Sequence, residues 1–275
     1  MSSILTNNSA MTALQTLKSI NSNLAKTQDE ISTGKSVATA KDNSAVWAIS
    51  KVMESDVAGF TAVSDALAQG SSTVAVASAG AEQITNILKD MKKLVVAATG
   101  ADADHAKITA SVDEMKANIT SVIGASQFNG VNLLNTAGAA GIEVLSSIDR
   151  DDTGAVTASN ITVASVDFEA NLDLTTIDTT DATTARASIV ALEALIQTAV
   201  DGAAALGASA SRIDRQEDFV GKLTDAMKSG IGAMVDANME EASARLQALQ
   251  VQQQLGVQSL SIANQAPQSI LSLFR

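Results

Sequence analysis

At 275 residues the chain has room for one or two domains, but only 2% of it is aromatic and tyrosine is absent, which suits slender helices packed side by side rather than a wide globular core. A net charge of −12 argues against a nucleic-acid partner, which would need a cationic face. With no cysteine and one histidine, His105, disulfides, thiolate metal sites and two-histidine metal motifs are excluded.

The elements follow in chain order. Residues 3–33 read as a helix ended by Gly34 as its C-cap. Ala10, Ala13, Leu17, Ile20, Leu24, Thr27 and Ile31 recur at alternating spacings of three and four, the seam of a coiled coil. No side-chain charge precedes Lys18. Residues 35–55 are mixed, with Asp42-Asn43-Ser44 placed to cap a new helix at Ala45-Val46-Trp47. Trp47 reads as a packing anchor at a joint between two helical segments.

From about 57 to 98 the seam runs without a slip through Phe60, Val63, Leu67, Gly70, Val74, Ala77, Ala81, Ile84, Leu88, Met91 and Val95. A second helix over 104–126 carries Ile108, Val112, Met115, Ile119 and Val122, and the short join makes it an antiparallel neighbour of the first. His105 opens that helix and reads as a solvated surface group. Asn129-Gly130 marks a turn. Residues 140–181 change character: Ile142 to Ile148, Ala155 to Val163 and Val166 to Leu174 read as short strands, with a turn at 149–154. Nine acids there stand against one base, Arg150. They lack the spacing of a calcium loop and read as a solvated outer face.

Helical periodicity returns at about 182 and runs through Ala185, Ile189, Leu192, Ile196, Ala199, Ala203, Leu206, Ala210 and Ile213, and on through Val220, Met227 and Ile231. Gly230 and Gly232 weaken it, and 230–241 reads as a crossing into a terminal segment. That segment has its seam at Met239, Ala242, Leu246, Leu249, Gln253, Gly256, Leu260 and Ala263, with no charge between Leu246 and Phe274. Pro267 predicts a kink or break at Ala266. Two uncharged, heptad-patterned ends predict that the ends pair and are then covered by other copies of the chain. Each is too polar to cross a membrane. The architecture expected is mainly α, with long antiparallel helices in coiled-coil and bundle packing and a small β-rich excursion. Its parts would be 1–40 with 242–275, 41–139 with 182–241, and 140–181 at the surface.

Several strings, in this order, resemble bacterial flagellin. They are Ile4-Leu5-Thr6-Asn7-Asn8, Ser32-Thr33-Gly34-Lys35 and Ala40-Lys41-Asp42-Asn43-Ser44-Ala45 at the front, and Gln127-Phe128-Asn129-Gly130-Val131-Asn132-Leu133-Leu134 after the second outer helix. At the back they are Ala205-Leu206-Gly207-Ala208, Arg212-Ile213-Asp214 and the run from Ser261 to Arg275. The resemblance covers about 1–135 and 185–275. It implies a secreted, non-enzymatic subunit without cofactor or metal that polymerises into the extracellular flagellar filament, its terminal helices forming an inner tube. Leu17, Ile20, Leu24, Ile31, Leu246, Leu249, Leu260 and Ala263 would line the assembly seam. It further implies a flagellar export apparatus, a chaperone holding the C-terminal segment, and contacts with filament cap and hook-junction proteins. A hook–filament junction protein shares the terminal coiled coil but carries an extra outer domain. A generic coiled-coil rod would favour a charged tip. Where the family often has an acid, Asn238 stands, and Trp47 replaces a small residue. The family patch read by a vertebrate innate receptor matches Leu88, Lys89, Asp90, Met91, Lys92, Lys93 and Leu94, with the apolar positions kept and charge signs reversed at Asp90 and Lys93.

Overall fold

The computed structural model describes residues 7–151 and 153–273, without the side chains of 266–273. Residues 3–6 of the first predicted helix, and Asp152 of the acidic turn, lie outside them. The elements are α1 (Asn8–Thr33), α2 (Ser44–Ala97), α3 (His105–Ala125), β1 (Ile142–Arg150), β2 (Val156–Val163), α4 (Phe168–Asn171), α5 (Ala182–Val235) and α6 (Met239–Leu273). The chain divides into two compact units, Met1–Ser55 with Ala226–Arg275, and Asp56–Asp225.

In the first unit α1 packs along α6. Asn7 caps α1, its side-chain oxygen accepting from the Ala10 N–H at 3.1 Å. Gly34 ends it at φ +70°, a left-handed conformation that glycine adopts without a Cβ clash. The chain then stitches itself to the break between α5 and α6. Ser36 N–H donates to the Val235 carbonyl at 2.7 Å and Ala237 N–H to the Gly34 carbonyl at 2.9 Å. The crossing expected over 230–241 is therefore confined to Asp236-Ala237-Asn238, and both glycines stay helical. Asn238 caps α6, accepting from the Glu240 and Glu241 N–H groups at 3.2 and 3.4 Å. Asparagine serves an N-cap as well as aspartate does, so the departure from the family's acid leaves this junction intact.

Two expectations for this unit are corrected. No joint separates a segment at 44–55 from the long helix, because α2 is continuous from Ser44, capped by Asn43 through the Val46 N–H at 3.2 Å. Trp47 lies half-buried in its first turn. Of the kink or break expected at Ala266, the break does not occur, and helix α6 continues from Met239 to Leu273. A proline inside a helix leaves the carbonyl four residues back without its donor and usually costs about 3 kcal/mol. Here that carbonyl belongs to Ala263, and it accepts from the Asn7 side-chain amide at 2.7 Å.

In the second unit the seam of α2 is buried at every apolar position from Phe60 to Val95. The 3.6-residue period alone brings these groups to one face. Helix α3 doubles back along α2, so that its C-cap Ser126 and the buried Leu134 meet Gly80, where a Cβ would collide with both. Only Val112 and Ile119 of its predicted seam are fully buried, joined by Ile123. The Phe128–Val131 turn closes with a pair of 2.9 Å backbone bonds, Asn129 and Gly130 at φ +50° and +82°. Asn132 anchors it, donating to the Ile123 carbonyl at 2.6 Å and accepting from Leu134 N–H at 2.8 Å. Along α5, Ala185, Leu192, Ala199, Leu206, Ile213 and Val220 are buried, while Ile189, Ile196, Ala203, Ala210, Met227 and Ile231 of the expected seam are half-buried. This helix contains a stretch long and apolar enough, by length and composition, to cross a membrane. Its seam is instead covered by protein. Ion pairing of Lys92 on α2 with Glu193, and a 3.3 Å bond from Ser71 to Asp214, join α2 to α5.

The middle segment differs from expectation in two ways. Strands β1 and β2 form an antiparallel pair with an irregularity between Leu145 and Ser147, but the third strand expected over 166–174 is absent. Asp167 and Asp173 accept backbone N–H groups of Ala170 and Thr175 at 3.1 and 3.0 Å, and so cap helix α4 and a single 3₁₀ turn, Leu174–Thr176. These local side-chain bonds compete with a sheet ladder and win. Nor is the segment wholly a solvated face. Val144, Ile161, Val163, Phe168, Leu172 and Ile177 are buried. Val144 lies over Gly70, where a Cβ would come within 2.6 Å of it, and Gly202 of α5 faces the Phe168 ring and Val166.

Gly202→Ala is expected to lower the stability of the second unit. Alanine gains about 1 kcal/mol of helix propensity, but its methyl would enter the space of a fully buried ring, and overpacking costs about 1–3 kcal/mol. Thermal unfolding of monomer gives the sign directly.

The exposed acids of 140–181 serve as turn caps. The Thr153 hydroxyl and then the Ala155 N–H hold Asp151 below the ordinary aspartate range; the Thr175 hydroxyl and then its N–H do the same for Asp173. Asp178 is lowered first by the Thr180 N–H, and Asp181 by the N–H groups of Thr184 and Thr183. Groups with a depressed folded pKa give full stabilisation above the unfolded value of roughly 3.9 and lose it as pH falls through the folded values. Hydrogen-exchange protection at Ala155, Thr175, Thr180 and Thr184 should therefore decline below that pH before the α2 seam opens. Simultaneous loss of both would show that the caps do not set the local order.

Candidate functional site

Among the described residues no group of three or more metal-ligating side chains gathers. His105 is not a solvated group. It opens α3 behind the cap Asp104, and its Nδ1 lies 3.1 Å from the Thr179 carbonyl. Thr109 also reaches Thr179, at 2.9 Å, and Lys116 donates to the Ile177 carbonyl at 2.8 Å. The histidine thus joins a set of bonds that fastens the 177–179 turn to α3. Sequence could not place it, because its partner lies 74 positions away.

The most distinctive surface is the α1–α6 pair. Leu17, Ile20, Leu24 and Ile31 on α1 are half-buried and Thr27 is buried. On α6, Ala242 and Leu249 are buried, Leu246, Gly256, Leu260 and Ala263 half-buried, and Met239 exposed. These residues face one another across the pair. A Cβ on Gly256 would lie 3.1 Å from Leu17 and 3.8 Å from Ile20, so the glycine sets how closely the helices approach. Gln253, the polar member of the seam, donates to the Asn21 side chain at 2.7 Å. The partner lets a half-buried amide sit in an otherwise apolar seam.

The seam consumes only one face of each helix. Outside it, Met11 is 63% exposed, Leu14 57%, Leu255 58% and Ile262 64%, with Val251 and Val257 also open. A groove of about 740 Å³ between the helices is lined by Ala13, Ile20, Leu255 and Gly256, with Ser9, Thr12, Thr16, Gln252 and Ser259 at its rim. Apart from the exposed Lys18, charge gathers at the far end, where Arg245 pairs with Glu241 at 2.6 Å and approaches Glu30 at 4.0 Å.

On α2, Leu88 and Met91 are fully buried and Leu94 half-buried, while Lys89, Asp90 and Lys93 are exposed. Lys93 pairs with Asp90 at 2.7 Å, and Lys92 pairs with Glu193. The alternation follows from helix geometry, the core taking one face and solvent the other.

Comparison with known proteins adds to this. Residues 4–139 match the bacterial flagellin N-terminal helical region and residues 189–274 the C-terminal helical region. The chain is 42% identical to a flagellin of Brucella melitensis over all of both chains. It is 39% identical to flagellin FljM of Caulobacter vibrioides, covering 100% of this chain and 99% of that one, and 37% identical to flagellin C of Rhizobium meliloti over all of both. Nearly the whole set of helices described above therefore falls within matched regions, and the relatives align from end to end. The chain belongs to the bacterial flagellin family: it is an exported structural protein that polymerises with copies of itself into the extracellular filament of the flagellum.

Proposed function

We propose that the α1–α6 pair is the element through which copies of this chain assemble. In this reading 1–40 and 242–275 form the inner layer of the filament, 41–139 and 182–241 the outer bundle, and 140–181 its surface. One observation carries the reading. The pair uses one apolar seam internally and leaves a second, uncharged face with Met11, Leu14, Val251, Leu255, Val257 and Ile262 open. A helix facing water normally charges that side, and a contiguous apolar surface marks a protein contact. Leu17, Ile20, Leu24, Ile31, Leu246, Leu249, Leu260 and Ala263 hold the pair in shape so that the outer face can be presented. The chain has no catalytic task and takes no cofactor in this role. Its uncovered C-terminal helix suits a chaperone before assembly, and the ends of the polymer would meet the filament cap and the hook junction.

Leu249→Asp and Leu260→Asp are expected to abolish polymerisation while the second unit stays folded. A carboxylate placed in an apolar seam without a partner costs several kcal/mol, and every subunit repeats the cost. The measurement is reassembly after heat depolymerisation, followed by electron microscopy, with circular dichroism as the folding control. Long filaments from both variants would remove the seam from the assembly mechanism.

The receptor patch is a second surface. Asp90 and Lys93 put charges opposite in sign to those of the recognised pattern, and Lys92 lacks the planar fork of arginine. Like charges placed against a partner built for the other sign cost several kcal/mol. Monomer should give weak or no signalling in receptor reporter cells. Asp90→Arg/Lys93→Glu should raise it without unfolding the helix, because the exchange preserves an exposed ion pair worth at most about 1 kcal/mol. Strong signalling by the unchanged protein would contradict this, and an inactive exchange variant would show that other positions also block recognition.

A further inference from the structure

Helix α6 passes through Pro267 without interruption. Proline has no N–H, so the regular bond from position 267 to the carbonyl of position 263 cannot form. That carbonyl nevertheless has a donor: the Asn7 side-chain Nδ2 lies 2.7 Å from the Ala263 oxygen. Asn7 does a second thing at once. Its Oδ1 accepts from the Ala10 N–H at 3.1 Å and caps α1. Only one orientation of the amide meets both partners, since turning it over would set oxygen against the Ala263 carbonyl and a donor against the Ala10 donor.

We infer that Asn7 is a positioning residue that holds the N-terminal end of α1 in register against α6, by supplying the hydrogen bond that Pro267 withholds from Ala263. The seam by itself is a poor ruler. Its side chains along this stretch are small or flexible, with Ala10 and Ala13 on α1 and Gly256 and Ala263 on α6, and an apolar stripe is non-directional. A carbonyl without a helical partner is a single, directional feature at one height on α6. An N-cap side chain is fixed at one height on α1. The Ser36–Val235 and Ala237–Gly34 backbone bonds and the Gln253–Asn21 pair set the register further along, and joining Asn7 to Ala263 keeps the N-terminal end of α1 from slipping out of it. The proline then acts as an address, marking a turn within α6 whose backbone is free to take a partner from another helix.

The inference rests on the α1–α6 pair carrying assembly, and a four-protein cycle on the full chain separates the two ideas. The parent, Asn7→Asp, Pro267→Ala and the double variant are compared by the monomer concentration in equilibrium with filaments, measured by sedimentation. Asn7→Asp keeps the cap acceptor and removes the donor. Leaving a carbonyl unsatisfied should raise that concentration roughly ten-fold in the parent background. Pro267→Ala restores the N–H to Ala263, so in that background the same substitution should change it less than about two-fold. Equal impairment in both backgrounds would overturn the inference, since Asn7 would then act only through the cap or its new charge. Failure of both Pro267→Ala and Pro267→Gln to polymerise would also overturn it, because the proline would be needed for something beyond its missing N–H. If none of the variants differed from the parent, the inference about Asn7 would fall while the assembly role of the pair stood, since that role is tested separately by Leu249→Asp and Leu260→Asp.

Discussion

Everything in the first unit depends on the lack of charge over residues 8–17 of α1 and 246–273 of α6. Helical stretches that carry no ions on their outer faces gain little from water and much from cover. Their internal seam satisfies half of that requirement. The polar groups that remain are amides and hydroxyls, which can be buried when partnered and solvated when not. Gln253 with Asn21 shows the partnered case. The composition therefore sets a low barrier to moving these helices from solvent into a packed environment, and gives them reason to move. The second unit is built on the opposite rule, with apolar seams turned inward and ion pairs such as Lys93–Asp90 and Lys116–Asp113 outside.

Small residues recur where elements must come close. Gly70, Gly80 and Gly202 each face a side chain that a methyl group would strike. In a chain with so few aromatics, this close approach lets thin helices bury their surface. Phe168 is the exception that tests the rule: the largest fully buried side chain finds its space against a glycine on α5.

Periodicity made the seams readable from sequence. On α2 every apolar position assigned to the seam is buried, because a long run of three-and-four spacing has one solution in a helix. The pairing of the ends was readable for a related reason, since uncharged heptads at both termini have few other uses. The errors came where short-range and long-range bonds decide the outcome. Val166 to Leu174 has the composition of a strand, yet Asp167 and Asp173 bond their own neighbours and turn the chain. His105 finds a carbonyl, and Pro267 is tolerated, through partners far away in sequence. Composition cannot report such partners. The site residues on α1 and α6 were visible as a pattern, but Asn7 was visible only as part of a family string.

The bond between Asn7 and Ala263 spans 256 positions. Closing a flexible loop of that length costs about 5 kcal/mol in chain entropy beyond the constant for any loop. A single hydrogen bond returns about 1 kcal/mol, so the ends cannot find each other one contact at a time. Folding of Asp56–Asp225 shortens the loose chain between them, and the hairpin and the α2–α3 turn within it rely on contacts much nearer in sequence. The helical ends are thus the last part of the molecule to close, and the first to open. A chain that is exported and then joins a polymer gains from this order: its body can settle while its adhesive ends are still unpaired.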